Sequence, residues 1–294
     1  MVNYSITDLE KITGIKAHTI RIWEKRYNVV TPERTTTNIR YYTDNDLKKL
    51  LNISMLNRYG YRISSIVKMS SDELSKKVMD ISEGSTNHDI QIEHLIVAMM
   101  ELNEEKFEKV LSNALIKLGF ESTVTSVVYP FLEKIGVLWL VGTINPAQEH
   151  FIVNLIRQKL IAAIDGLMVT PSSHALKLVL FLPPNELHEL SLLHYWYILK
   201  KMGHKVLYFG QSLPIEDLKT VAHLQSPDYM LTVLTAAQTS EQYKNLINSL
   251  SIFLPGTNIF ITGLQTREHI IGLPQNIFQI ENAEELFEII NEQK

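Results

Sequence analysis

Two short spacings stand out for the chemistry they permit. Asn185-Glu186-Leu187-His188-Glu189-Leu190-Ser191 sets a carboxylate two residues ahead of a histidine, at the expected head of a helix. A neutral imidazole is a good ligand for a transition metal such as cobalt, and a carboxylate bonded to its other nitrogen fixes the tautomer and raises its basicity. Upstream, Trp139 is followed, after nine intervening residues, by Glu149-His150. Taken singly, each has a plainer explanation. His188 serves as a polar residue opening a helix, Glu149-His150 as a solvated helix start after Asn145-Pro146, and Trp139 as part of the apolar stripe Ile135, Leu138, Trp139. The chain has no cysteine, which excludes disulfides, thiolate metal sites and cysteine nucleophiles, so any metal ligand is His, Asp or Glu. Among the 10 histidines, His18, His88, His94, His174, His194, His204, His223 and His269 lack partner spacing and read as surface or packing residues.

A second kind of chemistry lies at the front. Residues 1–70 hold 12 Lys and Arg against 6 Asp and Glu, a local net of +6 in a chain whose net charge is −4. Only this end suits a polyanion. Ile6–Thr13 reads as a short amphipathic helix, Gly14 as the turn, and Ala17–Tyr27 as a second helix with Ile20 and Trp23 at helical spacing. Arg21, Lys25 and Arg26 project away from that apolar stripe. Pro32–Tyr42 follows as two extended segments whose polar turn lies between Arg34 and Arg40. Helix, glycine turn, recognition helix and basic wing, in that order, point to DNA. Thr19, Arg21, Lys25, Arg26, Arg34, Arg40 and Tyr41 are the candidate contacts; Trp23, an aromatic at apolar spacing, ranks below them as a packing residue.

The elements that must position Glu186 and His188 begin near Leu176, where apolar runs alternate with amphipathic helices. Leu176–Leu182, Lys205–Phe209, Tyr229–Leu234, Asn258–Thr262 and Asn276–Ile280 read as five buried parallel strands. His188–Met202, Ile215–His223, Glu241–Phe253, Arg267–Ile271 and Ala283–Glu292 read as the connecting helices of a doubly wound α/β domain. Its ligand crevice is expected beyond the carboxyl ends of the strands, where Pro183–Glu189, Gly210–Pro214, Thr235–Ser240 and Gly263–Thr266 gather. Residues 71–170 carry almost no strand signal. Asp72–Ile81, Ile90–Leu102, Glu105–Leu118, Glu121–Leu138 and Pro146–Met168 suit a helical linker and a four-helix bundle, with a boundary at Ser82–Asn87. The expected domains are 1–75, 86–170 and 175–294.

At 294 residues, 45% hydrophobic and 20% charged, the chain can bury several cores. Neither a signal-peptide pattern nor an apolar run near the ~20 residues of a membrane span occurs, so a cytoplasmic protein is expected. Phosphate loop, G-x-S-x-G elbow and H-E-x-x-H helix are all missing, and no enzyme is expected.

From Tyr4 to Leu51 the chain resembles the DNA-binding domain of the MerR family, through His18-Thr19-Ile20-Arg21-Ile22-Trp23-Glu24-Lys25-Arg26-Tyr27 in the second helix and Arg40-Tyr41-Tyr42 in the wing. The resemblance implies a dimer on near-palindromic promoter sites, with Arg21, Arg40 and Tyr41 foremost on DNA. A helical bundle ahead of a five-stranded α/β domain is in turn the pairing of a cobalamin-binding module. Trp139, Glu149 and His150, with Glu186 and His188, resemble the CarH and LitR type of MerR regulators, in which adenosylcobalamin lies between bundle and sheet as a light-sensing ligand. On that likeness Trp139 caps the cofactor's upper face, Glu149 and His150 line its adenosyl side, and His188 is the lower axial cobalt ligand. Ser191, Ser212 and Gly263 join the candidate cofactor contacts.

The chain departs from that pattern at three places. Ser191 replaces the glycine of E-x-H-x-x-G, Gly263-Leu264 replaces a paired glycine, and Leu140 stands where photoreceptors of this type place a histidine that captures cobalt after light expels the adenosyl group. The usual photoadduct is therefore not expected. The sequence thus implies a one-component DNA-binding transcriptional regulator that senses cobalamin and changes oligomeric state, as dimer or tetramer, or DNA affinity. The alternatives are a cofactor-free regulator using the same fold for protein interaction or oligomerisation, and a cobalamin-dependent methyl-transfer carrier.

Overall fold

The computed structural model describes residues 4–34, 38–70, 73–74, 76–78, 87–140 and 144–292, which fall into two compact units, Met1–Leu155 and Ile156–Lys294.

In the first unit, Ser5 starts the helix Ile6–Thr13 through a reciprocal capping box: its hydroxyl accepts from Asp8 N, and the Asp8 carboxylate accepts from Ser5 N. Gly14 ends that helix at φ +70°, a left-handed conformation that costs a residue without Cβ nothing. The recognition helix Ala17–Tyr27 buries Ile20 and Trp23 and leaves Arg21, Ile22, Lys25 and Arg26 exposed. Strands β1 (Glu33–Arg34) and β2 (Arg40–Tyr41) pair antiparallel, with Arg34 opposite Arg40. A second capping box, Thr43 with Asp46, opens the long helix Asp44–Arg58, which buries Leu47, Leu50 and Leu51; Tyr4, Leu9, Ile20 and Tyr42 of this head are buried as well.

Half of the expected helix Asp72–Ile81 and all of the boundary Ser82–Asn87 except Asn87 lie outside the described residues; 73–74 and 76–78 are helical, and Asn87 caps the next helix by accepting from Asp89 N. The bundle comprises His88–Met100, Glu104–Leu118, Phe120–Leu140 and Pro146–Asp165, with Phe107 packed edge-on against Phe131 and Phe151. The sequence suggests an unbroken helix over Glu121–Leu138, but Val124–Val128 is a π-helical turn between Phe120–Thr123 and Tyr129–Leu140. The local chemistry favours this interruption. Thr123 and Thr125 donate their hydroxyls back to the carbonyls of Gly119 and Glu121, and the β-branched run Val124, Thr125, Val127, Val128 crowds a regular turn.

The second unit holds a five-stranded parallel sheet in the order β4 (Lys205–Gly210), β3 (Lys177–Phe181), β5 (Tyr229–Val233), β6 (Asn258–Thr262), β7 (Ile277–Gln279). The expected strands agree to within a residue at each end. Both faces are covered: Leu178, Leu180, Leu192, Leu231 and Phe260 pack one side, and Val179, Phe181, Leu218, Tyr243 and Ile259 the other. Two helices begin elsewhere than expected. The helix after β6 is Leu264–Glu268 rather than Arg267–Ile271, because Gln265 N donates to the Leu234 carbonyl at 3.0 Å and ties the helix start directly to the strand ends. The helix after β3 starts at Leu190, so His188 sits in the preceding loop and not on the helix. No helix among the described residues is long and apolar enough to cross a membrane.

Candidate functional site

The strand order reverses direction at β3, with β4 on one side and β5 on the other, which is the switch point beyond whose strand ends ligands bind in open α/β sheets. Glu186 spans that point. Although only 1% exposed, it is saturated with donors: Oε2 accepts from Thr235 N and Ala236 N at 2.7 Å each, beyond β5, while Oε1 accepts from His188 N at 3.0 Å and meets His188 Nδ1 at 2.6 Å. Burial pushes its carboxyl upward, but the bonds from the His188 ring and from the Ala236, His188 and Thr235 amides outweigh it and hold the group down at about 2. An ionised carboxylate only accepts, so Nδ1 carries a hydrogen, and in the neutral imidazole that a metal requires Nε2 holds the lone pair. His188 is 53% exposed at the side chain, as a residue offered to a ligand should be.

The neighbouring loop is pinned from several sides. Asn185, left-handed at φ 67°, donates its N–H to Ser212 Oγ at 3.2 Å; Ser212, left-handed at φ 51°, donates its own to the Glu186 carbonyl at 3.3 Å; and Gln211 Nε2 donates to the Leu187 carbonyl at 2.7 Å. Ser212 therefore acts on the loop that carries His188. Ser191 is half-buried in the first turn of Leu190–Lys201. Gly263 has φ +112°, and a Cβ there would lie 2.5 Å from the Leu234 carbonyl oxygen, so backbone closeness already demands glycine. Leu264 beside it is 51% exposed.

Sequence reasoning missed Glu189. It is 5% exposed, pairs with the guanidinium of Arg157 and accepts from Tyr208 Oη at 2.7 Å, while the Tyr208 ring stacks on Trp196 at 4.6 Å. Burial, then the bond to Glu189, pushes the Tyr208 phenol well above its usual range, so it stays a donor. His188 is thus flanked by two anchored glutamates. Adjacency to His188 was the only available signal, since partners 32 and 19 residues away leave no periodic trace.

In the first unit, Trp139 is 43% exposed and donates from Nε1 to Glu149 Oε2 at 2.6 Å, whereas Ile135 and Leu138 are buried. The tryptophan is therefore not core, and it is brought together with Glu149 as the spacing suggested. His150 is exposed, and its carbonyl accepts from Asn154 Nδ2. The side chain of Leu140 lies outside what is described.

The candidate DNA contacts lie on the second helix and the wing, and most of them are exposed. Arg21, Lys25 and Arg26 are exposed on the recognition helix opposite Ile20 and Trp23, and Thr19 is half-buried near its start. In the wing, Arg34 Nη1 donates to Asn38 Oδ1 at 2.6 Å, Arg40 Nε stands 3.5 Å from Glu24, and Tyr41 donates its hydroxyl to Glu33. Trp23 is buried, as a packing residue should be.

Among the described residues no three His, Asp or Glu side chains gather as a metal cage.

Comparison with known proteins adds two family matches. Residues 4–73 match the model of the MerR HTH family regulatory protein, and residues 91–163 match the B12 binding domain. Over 273 residues the chain is 27% identical to the HTH-type transcriptional repressor CarH of Myxococcus xanthus, covering 90% of each protein. Over 294 residues it is 24% identical to the HTH-type transcriptional repressor CarA of the same organism, covering 98% of this chain and 96% of the relative. Among solved structures, the Methanosarcina barkeri monomethylamine corrinoid protein superimposes with a TM-score of 0.51 at 15% identity, covering 74% of this chain and 99% of that one; the shared feature is the fold.

Proposed function

From a chain that joins a MerR-type helix-turn-helix to a B12-binding domain and is homologous to the CarH and CarA repressors, we propose a one-component transcriptional regulator whose bundle and α/β domain sense cobalamin, adenosylcobalamin in particular. The observation that carries it is the Glu186–His188 pair: a buried, amide-held carboxylate on Nδ1, presenting Nε2 of a half-exposed ring at the crevice of the sheet.

When bound, cobalamin supplies a cobalt ion with an exchangeable upper ligand. In this reading His188 would be the residue that holds cobalt, Glu186 would fix its tautomer, and Glu189, through Arg157 and Tyr208, would steady the loop from the other side. On the bundle, Trp139, with Glu149 accepting its indole N–H, and His150 would contribute the residues that contact the cofactor. Ser191, Ser212 and Gly263 shape the loops around the corrin tail. On the front domain, Thr19, Arg21, Lys25, Arg26, Arg34, Arg40 and Tyr41 bind promoter DNA, the arginines and lysine chiefly through phosphates and base edges. The switch is linkage: a ligand that binds one oligomeric state, dimer or tetramer, more tightly than another shifts the population by that difference and so changes how many DNA-reading heads act together. No reaction of its own is assigned to the chain.

The test is the visible absorbance of the purified protein after incubation with adenosylcobalamin in the dark and desalting. Retained colour that His188→Ala loses, or holds with a shifted spectrum, supports the sensor. Colourless protein that still binds DNA supports the second reading, a cofactor-free regulator, which the exposed Leu264 and the half-buried Ser191 favour. Cobalamin-dependent methyl transfer in the absence of DNA would instead support a carrier.

A further inference from the structure

Within the first unit the DNA-reading head meets the bundle at a buried charge. Glu93 lies in the helix His88–Met100, where every residue from Ile90 to Met99 is buried, and it is itself 1% exposed. Its carboxylate pairs with Arg58, the last residue of the helix Asp44–Arg58. The same guanidinium donates to Ser54 Oγ at 3.0 Å and reaches the Thr13 carbonyl at 3.5 Å, to which Ser54 Oγ also donates at 3.1 Å. Thr13 closes the first helix of the helix-turn-helix, and its Oγ1 accepts from Ile15 N at 3.2 Å inside the turn. Arg58 therefore grips the turn that aims Ala17–Tyr27.

Beside this contact lies a cavity of about 430 Å³, lined by Thr19 and Trp23 of the recognition helix and by Glu93 and Lys134 of the bundle. Lys134 belongs to Tyr129–Leu140, the helix that carries Trp139. Glu93 faces Arg58, Lys134 and, on its own helix, Asp89, and its second oxygen has no hydrogen-bond partner among the described residues. A buried carboxylate paired with one cation, with a second cation lining the same cavity and one oxygen unfilled, has a second pairing available to it when the second cation moves closer.

We propose that Arg58 and Glu93 form the joint through which the Trp139-bearing helix sets the attitude of the recognition helix. A shift of that helix moves Lys134, the Glu93 carboxylate repartitions between Lys134 and Arg58, and Arg58 passes the change to the Thr13 carbonyl and the turn. Both are positioning residues that touch neither DNA nor cofactor. This rests on the bundle being the cobalamin sensor.

The experiment uses the full chain in the dark and a duplex selected from random DNA by the wild type. DNA affinity is measured with and without adenosylcobalamin for wild type, Glu93→Gln, Arg58→Met and the double variant, alongside retained cobalamin absorbance. Each single variant is expected to keep its colour and to shrink the ratio of the two affinities at least threefold, and the double variant to lose no more than either single one. Coloured variants with the wild-type ratio overturn the joint. A wild-type ratio of one sinks the sensor reading instead. Hydrogen exchange of cobalamin-free protein then decides the joint: Glu93→Gln must speed exchange across Ala17–Tyr27 at least threefold while leaving β3–β7 unchanged, and unchanged exchange in the recognition helix overturns it. Should Glu93→Gln fail to fold, Lys134→Met and Arg58→Lys carry the same comparisons.

Discussion

Arg40 in the wing stands 3.5 Å from Glu24 on the recognition helix, and the Tyr42 hydroxyl donates to that same carboxylate at 3.2 Å. Glu24 thus ties the wing to the second helix of the helix-turn-helix. Burial, then the Glu24 charge, pushes the Tyr42 phenol up to about 12, so it remains a donor at any working pH. Glu24→Ala is expected to weaken DNA binding severalfold even though it removes a negative charge from a DNA-facing surface; stronger binding would show that the tie is dispensable.

Arg21 and Lys25 project from the recognition helix without a role in its core. Arg21→Ala and Lys25→Ala should each lower affinity and flatten the log–log salt dependence by ~0.9 for every phosphate left without its cation. The check is a titration at several salt concentrations. A base-edge role would instead lower affinity with little change in slope and relax the preferred sequence.

Glu186→Gln keeps the size of the residue but removes the charge that holds Nδ1. Cobalamin bound by this variant should dissociate about 10 to 100 times faster than from the wild type, the usual cost of removing a partner behind a metal-bound histidine. The pH dependence has a definite sign. The Glu186 carboxyl is lowered to about 2 from 4.5, so its stabilisation is complete above the unfolded value and is lost as pH falls from about 4.5 through about 2. Denaturant melts of the wild type and Glu186→Gln should therefore converge in acid and separate near neutrality.

Glu93 runs the other way. Burial raises its carboxyl to about 7, against the pull of Arg58 and Lys134. Below pH ~4.5 it is protonated in both states and costs nothing; as pH rises toward about 7 the unfolded chain ionises first and folding loses stability, on the order of 3 kcal/mol once both forms are ionised. Stability of wild type should fall between pH 5 and 8 by more than that of Glu93→Gln. Parallel curves for the two proteins would remove Glu93 as the source.

Gly263→Ala places a methyl carbon against the backbone of Leu234 at φ +112°. It should destabilise the second unit by about 2 kcal/mol or more in thermal or denaturant unfolding, whether or not cobalamin is present. An effect confined to the loaded protein would assign this glycine to ligand binding instead.

The sheet was legible from its sequence because five apolar runs of β-branched and aromatic residues are separated by amphipathic stretches, and burial on both faces leaves little freedom of interpretation. The Glu186–His188 contact was legible because both partners share one loop. Thr235 and Ala236, which complete it, contribute only backbone amides, and an amide carries no signature of its side chain. Arg157 with Glu189 and Arg58 with Glu93 escaped for another reason: single charged residues 32 and 35 positions apart resemble any solvated face until the fold brings them together. The position of His188 outside the helix was obscured because Leu187, Leu190 and Leu193 extend an apolar spacing through the loop.

The π-helical turn at Val124–Val128 gives the third bundle helix a rotational setting of its own. A π turn carries one residue more than the α turn it replaces, and one residue corresponds to about 100° about the axis. Everything downstream of Val128, Lys134 and Trp139 included, is therefore indexed from the point where that extra residue is taken up. Forcing the segment into a regular α-helix at its present length would swing the indole around the axis by about 100°, away from Glu149, whereas removing one residue from the π turn would let the helix run on regularly with the indole's azimuth kept. Azimuth here is stored in the winding of a single turn.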